Sequence, residues 1–305
     1  MRIVLWALGA LVVVAVFGGV ALQIAIARNG PAVLSVVDRL TGGSRGTVQL
    51  ARISTGDHPA QKVIVWGPER RDPKDAALPV LLFAHGGSWR SGDPEDYGFI
   101  ARAFVPDGFI VALSGYRLVK EGAPDGVYPA MLEDTASAIL ATREAVAELG
   151  GDPDRIVVMG HSAGAYNVVM SGLERVWLDE RGGDTDALRG IVGLSGPYDF
   201  YPFTSDSTLA AFGPADDPEA TQAFTHVRGD AAPVLLVHGD KDTLVRPRNS
   251  RELAKLIETA GGSVTLKLYP DMEHNDALFS LASPWSERRD VARKISAFAK
   301  EAVAR

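Results

Sequence analysis

The stretch VVMGHSAGAY (Val157–Tyr166) places a serine between two glycines, directly after a run of β-branched residues. Gly160, Ser162 and Gly164 fit the pattern G-x-S-x-G, in which a strand turns at once into a helix and lifts the serine hydroxyl above a sheet. The glycines are needed because side chains would collide across so sharp a turn. The pattern predicts that Ser162 is a nucleophile, with an inert turn as the alternative.

A serine hydroxyl is a weak nucleophile, so it needs a general base and an acid that orients the base. In this arrangement the acid and then the histidine follow the serine along the chain. Asp240 and Asp242 lie where the strand-like run APVLLVHGD ends, and His274 follows the next run. We expect Asp242 to be the acid, because Asp240 directly follows Gly239 and is better placed to cap the turn. The alternative for His274 is a surface histidine without a role.

Four other histidines are given no catalytic role. His58 and His226 lie in polar loops and are expected to be solvated. His161 adjoins Ser162 too closely to act as its base, so it is expected to pack or hydrogen-bond locally. His85 is expected to be structural.

The stretch FAHGGSW (Phe83–Trp89) supplies a second glycine pair at the end of a strand-like run. Attack on an acyl carbon places negative charge on the carbonyl oxygen, and adjacent glycines let backbone N–H groups approach that oxygen closely. We expect an oxyanion hole made by Gly86 or Gly87 together with Ala163. Each such donor contributes about 3 kcal/mol to transition-state stabilisation. The alternative is a tight turn without this role.

Four aromatic residues lie in or near these loops: Trp89, Tyr97, Tyr128 and Tyr198. They are expected to line the substrate pocket. For each of them a purely structural role is the alternative, since aromatic rings also fill cores.

Strand-like and helix-like segments alternate over residues 61–305. The strand-like runs are QKVIVWG, LPVLLFAHGG, GFIVALSGY, DRIVVMG, LRGIVGLSG, APVLLVHGD and SVTLKLYP, and the helix-like segments are PAMLEDTASAILATREAVAEL, HSAGAYNVVMSGLERVW, RNSRELAKLIETA and RRDVARKISAFAKEAVA. Nearly continuous apolar strands separated by helices are typical of a mostly parallel sheet with helices on both faces. We therefore predict one α/β catalytic domain, with residues 199–230 as a loop or small cap.

Composition excludes several other functions. The 305 residues carry a formal net charge of -7, which provides no basic surface for nucleic acid. Cysteine is absent, so disulfides, thiolate metal sites and cysteine nucleophiles are excluded. No metal or cofactor is expected.

The segment Ile3–Ala27 contains no charged residue and is long enough to cross a bilayer. We expect residues 1–27 to be a transmembrane anchor or uncleaved signal sequence, although the small residues before Arg28 are typical of a cleavage site. Residues 28–60 are then a juxtamembrane linker and the start of the domain. The expected location is a membrane-anchored protein with an extracytoplasmic catalytic domain, or a secreted one if the segment is cleaved.

The motifs HGGSW (85–89), GHSAG (160–164) and HGDKDTLV (238–245), with His274, resemble those of the α/β-hydrolase fold carboxylesterase and lipase-like family. The resemblance runs from about Val63 to the C-terminus. It is nearest to the group containing feruloyl-type esterases, kynurenine formamidases and prenylcysteine methylesterases. Ser88 and His161 depart from the hormone-sensitive-lipase branch, which usually has a third glycine and often an acidic residue at these positions.

The resemblance implies that Ser162 is the nucleophile, Asp242 the orienting acid and His274 the base, with the N–H groups of Gly86, Gly87 and Ala163 as oxyanion donors. It implies a carboxylesterase that cleaves small to moderately hydrophobic esters through an acyl-enzyme, without a cofactor.

Two alternatives to the esterase remain at this point. An amidase, arylformamidase or peptidase would use the same residues. An inactive membrane-anchored binding module is an alternative from a different class of protein. The sequence does not indicate the physiological substrate or the oligomeric state.

Overall fold

The computed structural model describes residues 23–26, 28–43, 46–72, 74–121 and 124–305. An eight-stranded sheet in the order β1-β2-β4-β3-β5-β6-β7-β8 forms its centre. The strands are β1 (Thr47–Ser54), β2 (Lys62–Pro68), β3 (Leu78–Ala84), β4 (Ile110–Ser114), β5 (Gly151–His161), β6 (Gly190–Leu194), β7 (Val234–Gly239) and β8 (Val264–Tyr269). β2 pairs antiparallel with β1 and β4, and every other pairing is parallel.

Helices cover both faces of this sheet. They are α1 (residues 28–40), α2 (Gly98–Phe104), α3 (Ala130–Ala145), α4 (Ala163–Leu173), α5 (Val176–Asp179), α6 (Asp206–Phe212), α7 (Arg248–Thr259), α8 (Asp276–Phe279) and α9 (Val291–Ala304). One apolar core lies between the sheet and α3, α4, α6 and α7, and the other lies between the sheet and α1, α2, α8 and α9.

Strand β3 shows why the apolar runs in the sequence are continuous. Leu82 points into one core, while Leu81 and Phe83 point into the other, and all three side chains are buried. Successive side chains of a strand alternate between faces, so a strand covered on both sides needs apolar residues throughout. Burial of each such side chain contributes about 2 kcal/mol. The predicted α/β sheet with helices on both faces is confirmed.

Several elements were not among the sequence expectations, and β1 and α2 are two of them. β1 is an edge strand with mostly half-exposed residues, and α2 is a short helix between β3 and β4. The irregular region 199–230 contains α6 and a 3₁₀ turn at Ala223–His226. Neither β1 nor α2 carries the long apolar pattern that makes the central strands visible in sequence.

The predicted N-terminal hydrophobic helix, Ile3–Ala27, lies outside the described residues except for residues 23–26, which are helical. No helix among the described residues combines the length and hydrophobicity needed to cross a membrane. Residues 28–40, which were expected to begin a linker, form α1 against the domain. Asp38 of α1 forms a buried ion pair with Arg102 of α2, and the N–H of Ser283 donates to the same carboxylate at 2.8 Å.

Candidate active site

Ser162 occupies the turn between β5 and α4, with φ of 54° and ψ of -120°. This left-handed conformation is strained for a residue with a side chain and costs on the order of 1–3 kcal/mol. A Cβ on Gly160 would lie 2.2 Å from the carbonyl oxygen of Gly164, and one on Gly164 would lie 2.1 Å from that of Ala84. Both clashes are with backbone, so the two glycines are what permits the turn.

The structure brings Ser162, His274 and Asp242 together at the carboxyl ends of β5, β8 and β7. The Ser162 hydroxyl is 2.9 Å from His274 Nε2, and His274 Nδ1 is 2.7 Å from Asp242 Oδ2. A carboxylate only accepts, so Nδ1 carries the proton and donates it to Asp242, which leaves Nε2 free to accept from the hydroxyl. All three side chains are largely buried. This is the geometry needed to remove the serine proton during attack.

The Asp242 carboxylate accepts four hydrogen bonds. One oxygen accepts from the N–H groups of Leu244 and Val245 at 3.0 and 2.9 Å, and the other accepts from His274 and from His238 Nε2 at 3.2 Å. Burial disfavours the ionised carboxylate. The hydrogen bonds from His238 and His274, the electrostatic attraction to His274 and the Val245 N–H outweigh that cost, so the pKa of Asp242 is held well below its usual range.

Asp240, the alternative acid, is directed away from this site. Its carboxylate pairs with Arg251 at 2.7 Å on the surface, and its N–H donates to the carbonyl of Tyr269. Only Asp242 of these two carboxylates reaches His274.

His161 contacts His274 and has no hydrogen bond to the serine hydroxyl. Its ring centroid is 5.2 Å from that of His274, and its Nε2 donates to the His274 carbonyl oxygen at 3.2 Å. Burial, followed by repulsion from His274, lowers the pKa of His161 to about 3. His161 is therefore neutral and bonded locally, in agreement with the sequence expectation.

His85 is structural, as expected, whereas the expectation for His226 was wrong. The His85 ring stacks between Tyr97 and Tyr116, and burial lowers its pKa to about 4. His226 was expected to be solvated, but it is partly buried, lies 2.7 Å from the carbonyl oxygen of Ala220 and pairs with Glu174.

Gly86 and Gly87 line one pocket beside Ser162 and Ala163 lines another, and within the described residues their N–H groups have no protein acceptor. Gly87 has φ of 122°, and a Cβ there would lie 2.0 Å from the carbonyl oxygen of Ser91. The loop after β3 can therefore follow this path only with glycine at position 87. These three donors are available to an oxyanion, but their roles remain a prediction.

Two pockets meet at Ser162. The larger, about 480 Å³, is bounded by residues 28–31, Tyr97 and His274. The smaller, about 310 Å³, is bounded by Trp89, Phe200 and the first residues of α6 and α7. The indole N–H of Trp89 donates to Asn167 Oδ1 at 3.1 Å, which fixes this wall of the smaller pocket.

Of the four aromatic residues expected to line a substrate pocket, Tyr97 borders the larger pocket and Trp89 the smaller one, whereas the other two border neither. Tyr198 is wholly buried below the site, and Tyr128 packs against Trp177 and Phe212. Both rings pack in the core instead, although Pro197 and Asp199 on either side of Tyr198 line the smaller pocket.

Three contributions to the site were not found from the sequence. They are His238, the residues of α1 that line the larger pocket, and Leu244, whose side chain borders both pockets. His238 had a local signal, since it precedes Asp242 by four residues in the same motif. The α1 residues had no such signal.

Within the described part of the chain, no cluster of three or more His, Asp or Glu side chains is placed to bind a metal ion.

Comparison with known proteins gives the following similarities. The family model described as BD-FAE matches residues 70–257. Carboxylesterase NlhH of Mycobacterium tuberculosis (strain ATCC 25618 / H37Rv) is 31% identical over 250 residues, covering 72% of each chain. The probable isoprenylcysteine alpha-carbonyl methylesterase ICME of Oryza sativa subsp. japonica is 27% identical over 263 residues, 79% of this chain and 61% of the relative. This chain thus spans about three-fifths of that methylesterase.

Solved structures share the fold. A truncated carbohydrate esterase from gut microbiota superposes with a TM-score of 0.71 at 16% identity, covering 86% of this chain and 99% of the other. The apo form of Thermogutta terrifontis esterase 2 superposes with a TM-score of 0.63 at 21% identity, covering 79% and 87%. At these identities the likeness concerns the fold alone.

Proposed function

Because this chain belongs to the BD-FAE family, within the carboxylesterase-like α/β-hydrolases, we propose that it is a serine carboxylesterase acting through an acyl-enzyme. The observation that carries the proposal is the continuous hydrogen-bonded series from Ser162 through His274 to Asp242. It lies where two pockets meet, and Gly86, Gly87 and Ala163 are among the residues that line those pockets.

In the proposed reaction, His274 Nε2 takes the Ser162 proton as Oγ attacks the ester carbon. The carbonyl oxygen becomes negative and accepts hydrogen bonds from the N–H groups of Ala163 and Gly86 or Gly87. His274 then gives the proton to the departing alcohol, and the acyl group stays on Ser162. Water repeats the sequence, with His274 as base, and releases the carboxylic acid and the free serine.

The two pockets suggest which part of the ester occupies each side. The leaving alcohol must receive its proton from His274, and this residue borders the larger pocket but not the smaller one. We therefore assign the alcohol to the larger pocket and the acyl group to the smaller one. Trp89 and Phe200 in the smaller pocket favour small to moderately hydrophobic acyl groups.

The location proposed for the protein follows from sequence alone. The uncharged segment Ile3–Ala27 supports a membrane-anchored protein with an extracytoplasmic catalytic domain, or a secreted protein if that segment is removed. Fractionation of cells expressing the full chain, followed by N-terminal sequencing, separates these two outcomes. Recovery in the cytosolic fraction would contradict both.

The test of the esterase is fluorophosphonate labelling of the full chain, mapped by peptide mass spectrometry, beside hydrolysis of p-nitrophenyl esters of increasing acyl length. We expect the label on Ser162, turnover that is lost in Ser162→Ala, and a preference for short acyl chains. Labelling without ester turnover would shift the assignment to an amide or formamide substrate. Absence of both would overturn the hydrolase and favour a binding module.

A further inference from the structure

The imidazole of His238 is buried at the end of β7 and is not used in the reaction proposed above. Its Nε2 lies 3.2 Å from Asp242 Oδ2 and 2.9 Å from the carbonyl oxygen of Val245, and its Nδ1 lies 2.7 Å from the hydroxyl of Ser250. The side chain has no solvent exposure. Every polar atom of this ring therefore has a protein partner.

The partners determine where the ring proton lies. Nε2 faces two acceptors, the carboxylate and a carbonyl, so it must carry hydrogen. Nδ1 faces a hydroxyl in α7, and Ser250 can donate its hydrogen there. The ring is then neutral, and the negative charge of Asp242 stays available to His274.

We propose that His238 is a positioning residue for His274, acting through the shared oxygen of Asp242 and held in place by Ser250. The inference rests on the proposed esterase reaction. Two backbone N–H groups fix the other oxygen of Asp242, so His238 supplies the remaining donor that fixes the carboxylate plane. With that plane fixed, Oδ2 points at His274 Nδ1 and the imidazole keeps Nε2 on the serine.

Loss of His238 removes one donor from a buried carboxylate and leaves the Val245 carbonyl and the Ser250 hydroxyl unpaired. The carboxylate can then rotate about its Cβ–Cγ bond, and His274 loses its fixed orientation. Proton transfer is sensitive to this orientation, whereas binding of the ester in the two pockets is not. The effect should appear in kcat rather than in KM.

Three replacements of His238 separate positioning from packing. In His238→Gln the amide N–H can reach Asp242 while the amide oxygen accepts from Ser250. In His238→Asn the shorter side chain reaches Ser250 but not Asp242. His238→Leu has neither interaction. Ser250→Ala tests the hydrogen bond between Ser250 and His238 Nδ1. Its matched control is Ser171→Ala, because Ser171 is an equally buried helical serine whose hydroxyl bonds only to the carbonyl of Asn167.

We expect His238→Leu and His238→Asn to lower kcat by about 10- to 100-fold with KM within twofold, the range for one hydrogen bond to a charged group. His238→Gln should recover most of that loss. Ser250→Ala should lower kcat less than His238→Leu, and Ser171→Ala should leave it unchanged. The downfield proton resonance of His274 Nδ1–H should broaden in the leucine and asparagine variants and return in the glutamine variant.

The proposal is overturned if His238→Leu keeps kcat within twofold of wild type. It is also overturned if His238→Gln and His238→Asn lose the same amount of activity and that loss follows their loss of thermal stability. The rate of fluorophosphonate labelling at Ser162 is measured alongside, because it needs no knowledge of the natural ester. A wild-type chain that neither labels nor turns over would contradict the esterase itself. A wild-type chain that labels, with variants that label equally fast, would contradict only the role of His238.

Discussion

The two halves of the candidate site are built by different means. On the nucleophile side, backbone contacts hold the turn, because Gly160 and Gly164 leave no room for a Cβ. On the acid and base side, side-chain hydrogen bonds hold the loops, with His238 and His161 buried beside Asp242 and His274. The turn at Ser162 depends on glycines, which have no side chain. The loops of Asp242 and His274 depend on the polar atoms of side chains.

The difference predicts how each half fails. Adding atoms to the nucleophile turn should damage the fold, since the clash is with main chain that cannot move separately. Removing polar atoms from the other half should damage turnover first, since the loops keep their remaining contacts. The following variants test this contrast.

Removal of the proposed nucleophile should have the largest effect. In Ser162→Ala we expect turnover to fall by about 10⁶-fold, as for the serine of other hydrolases. The free energy of unfolding should stay within about 1 kcal/mol, because the hydroxyl adds little to packing. Ester kinetics and urea titration measure the two quantities. If a preparation free of contaminating hydrolases kept more than 1% of wild-type turnover, a group other than Ser162 would be attacking the ester.

Replacement of the proposed orienting acid should have the next largest effect. Asp242→Asn places an amide opposite His274 Nδ1, which favours the wrong tautomer, so kcat should fall by about 10⁴-fold with the fold retained. Asp240→Asn is the matched control, because that carboxylate lies two residues away and pairs only with Arg251. It should be near wild type. If instead Asp240→Asn were the damaging change, the acid would be misassigned.

A methyl group in the nucleophile turn should destabilise the fold. Gly164→Ala drives a Cβ against the Ala84 carbonyl, and we expect a loss of about 3 kcal/mol or more in the free energy of unfolding. Gly30→Ala in α1 meets no atom within 4 Å and should raise helix stability slightly. Equal stabilities of the two variants, measured by urea unfolding, would show that the turn can relax.

Buried neutral histidines should make the protein acid-sensitive. Burial lowers the pKa of His85 to about 4 and that of His161 to about 3, whereas the unfolded chain titrates near 6.5. Between the folded and unfolded pKa values the unfolded state binds more protons than the folded state. The contribution of these histidines to the free energy of unfolding is therefore complete above pH 6.5 and is lost as the pH falls toward 4. The slope should approach about 1.4 kcal/mol per pH unit for each histidine.

Urea titrations at several pH values measure that slope, and His85→Gln should reduce it. The candidate base and acid are not altered in that variant, so turnover at neutral pH serves as an independent check on its fold. A slope unchanged by His85→Gln would place the proton uptake elsewhere.

The sequence predicts the turn at Ser162 better than it predicts the hydrogen bonds around Asp242 and His274. The glycine spacing around Ser162 is a local constraint, and so are the apolar runs of the central strands. His161 meets His274 only after distant segments converge, and sequence distance gives no measure of that. His238 lies four residues before Asp242, but the sequence does not say that its ring turns toward that carboxylate. Tyr198 shows the same limit, because a strand-end position does not say which way a ring points.

The two ends of helix α1 make different contacts with the rest of the domain. Its first residues form a wall of the larger pocket, while Asp38 further along neutralises the buried guanidinium of Arg102. A chain shortened to begin at Ala32 would keep the ion pair and lose the wall, whereas one shortened to begin at Thr41 would also remove Ser35 and Asp38, the two residues that Arg102 binds. If the larger pocket binds the leaving alcohol as proposed, selectivity for that alcohol and docking of the helix are separable by the point at which the chain is cut.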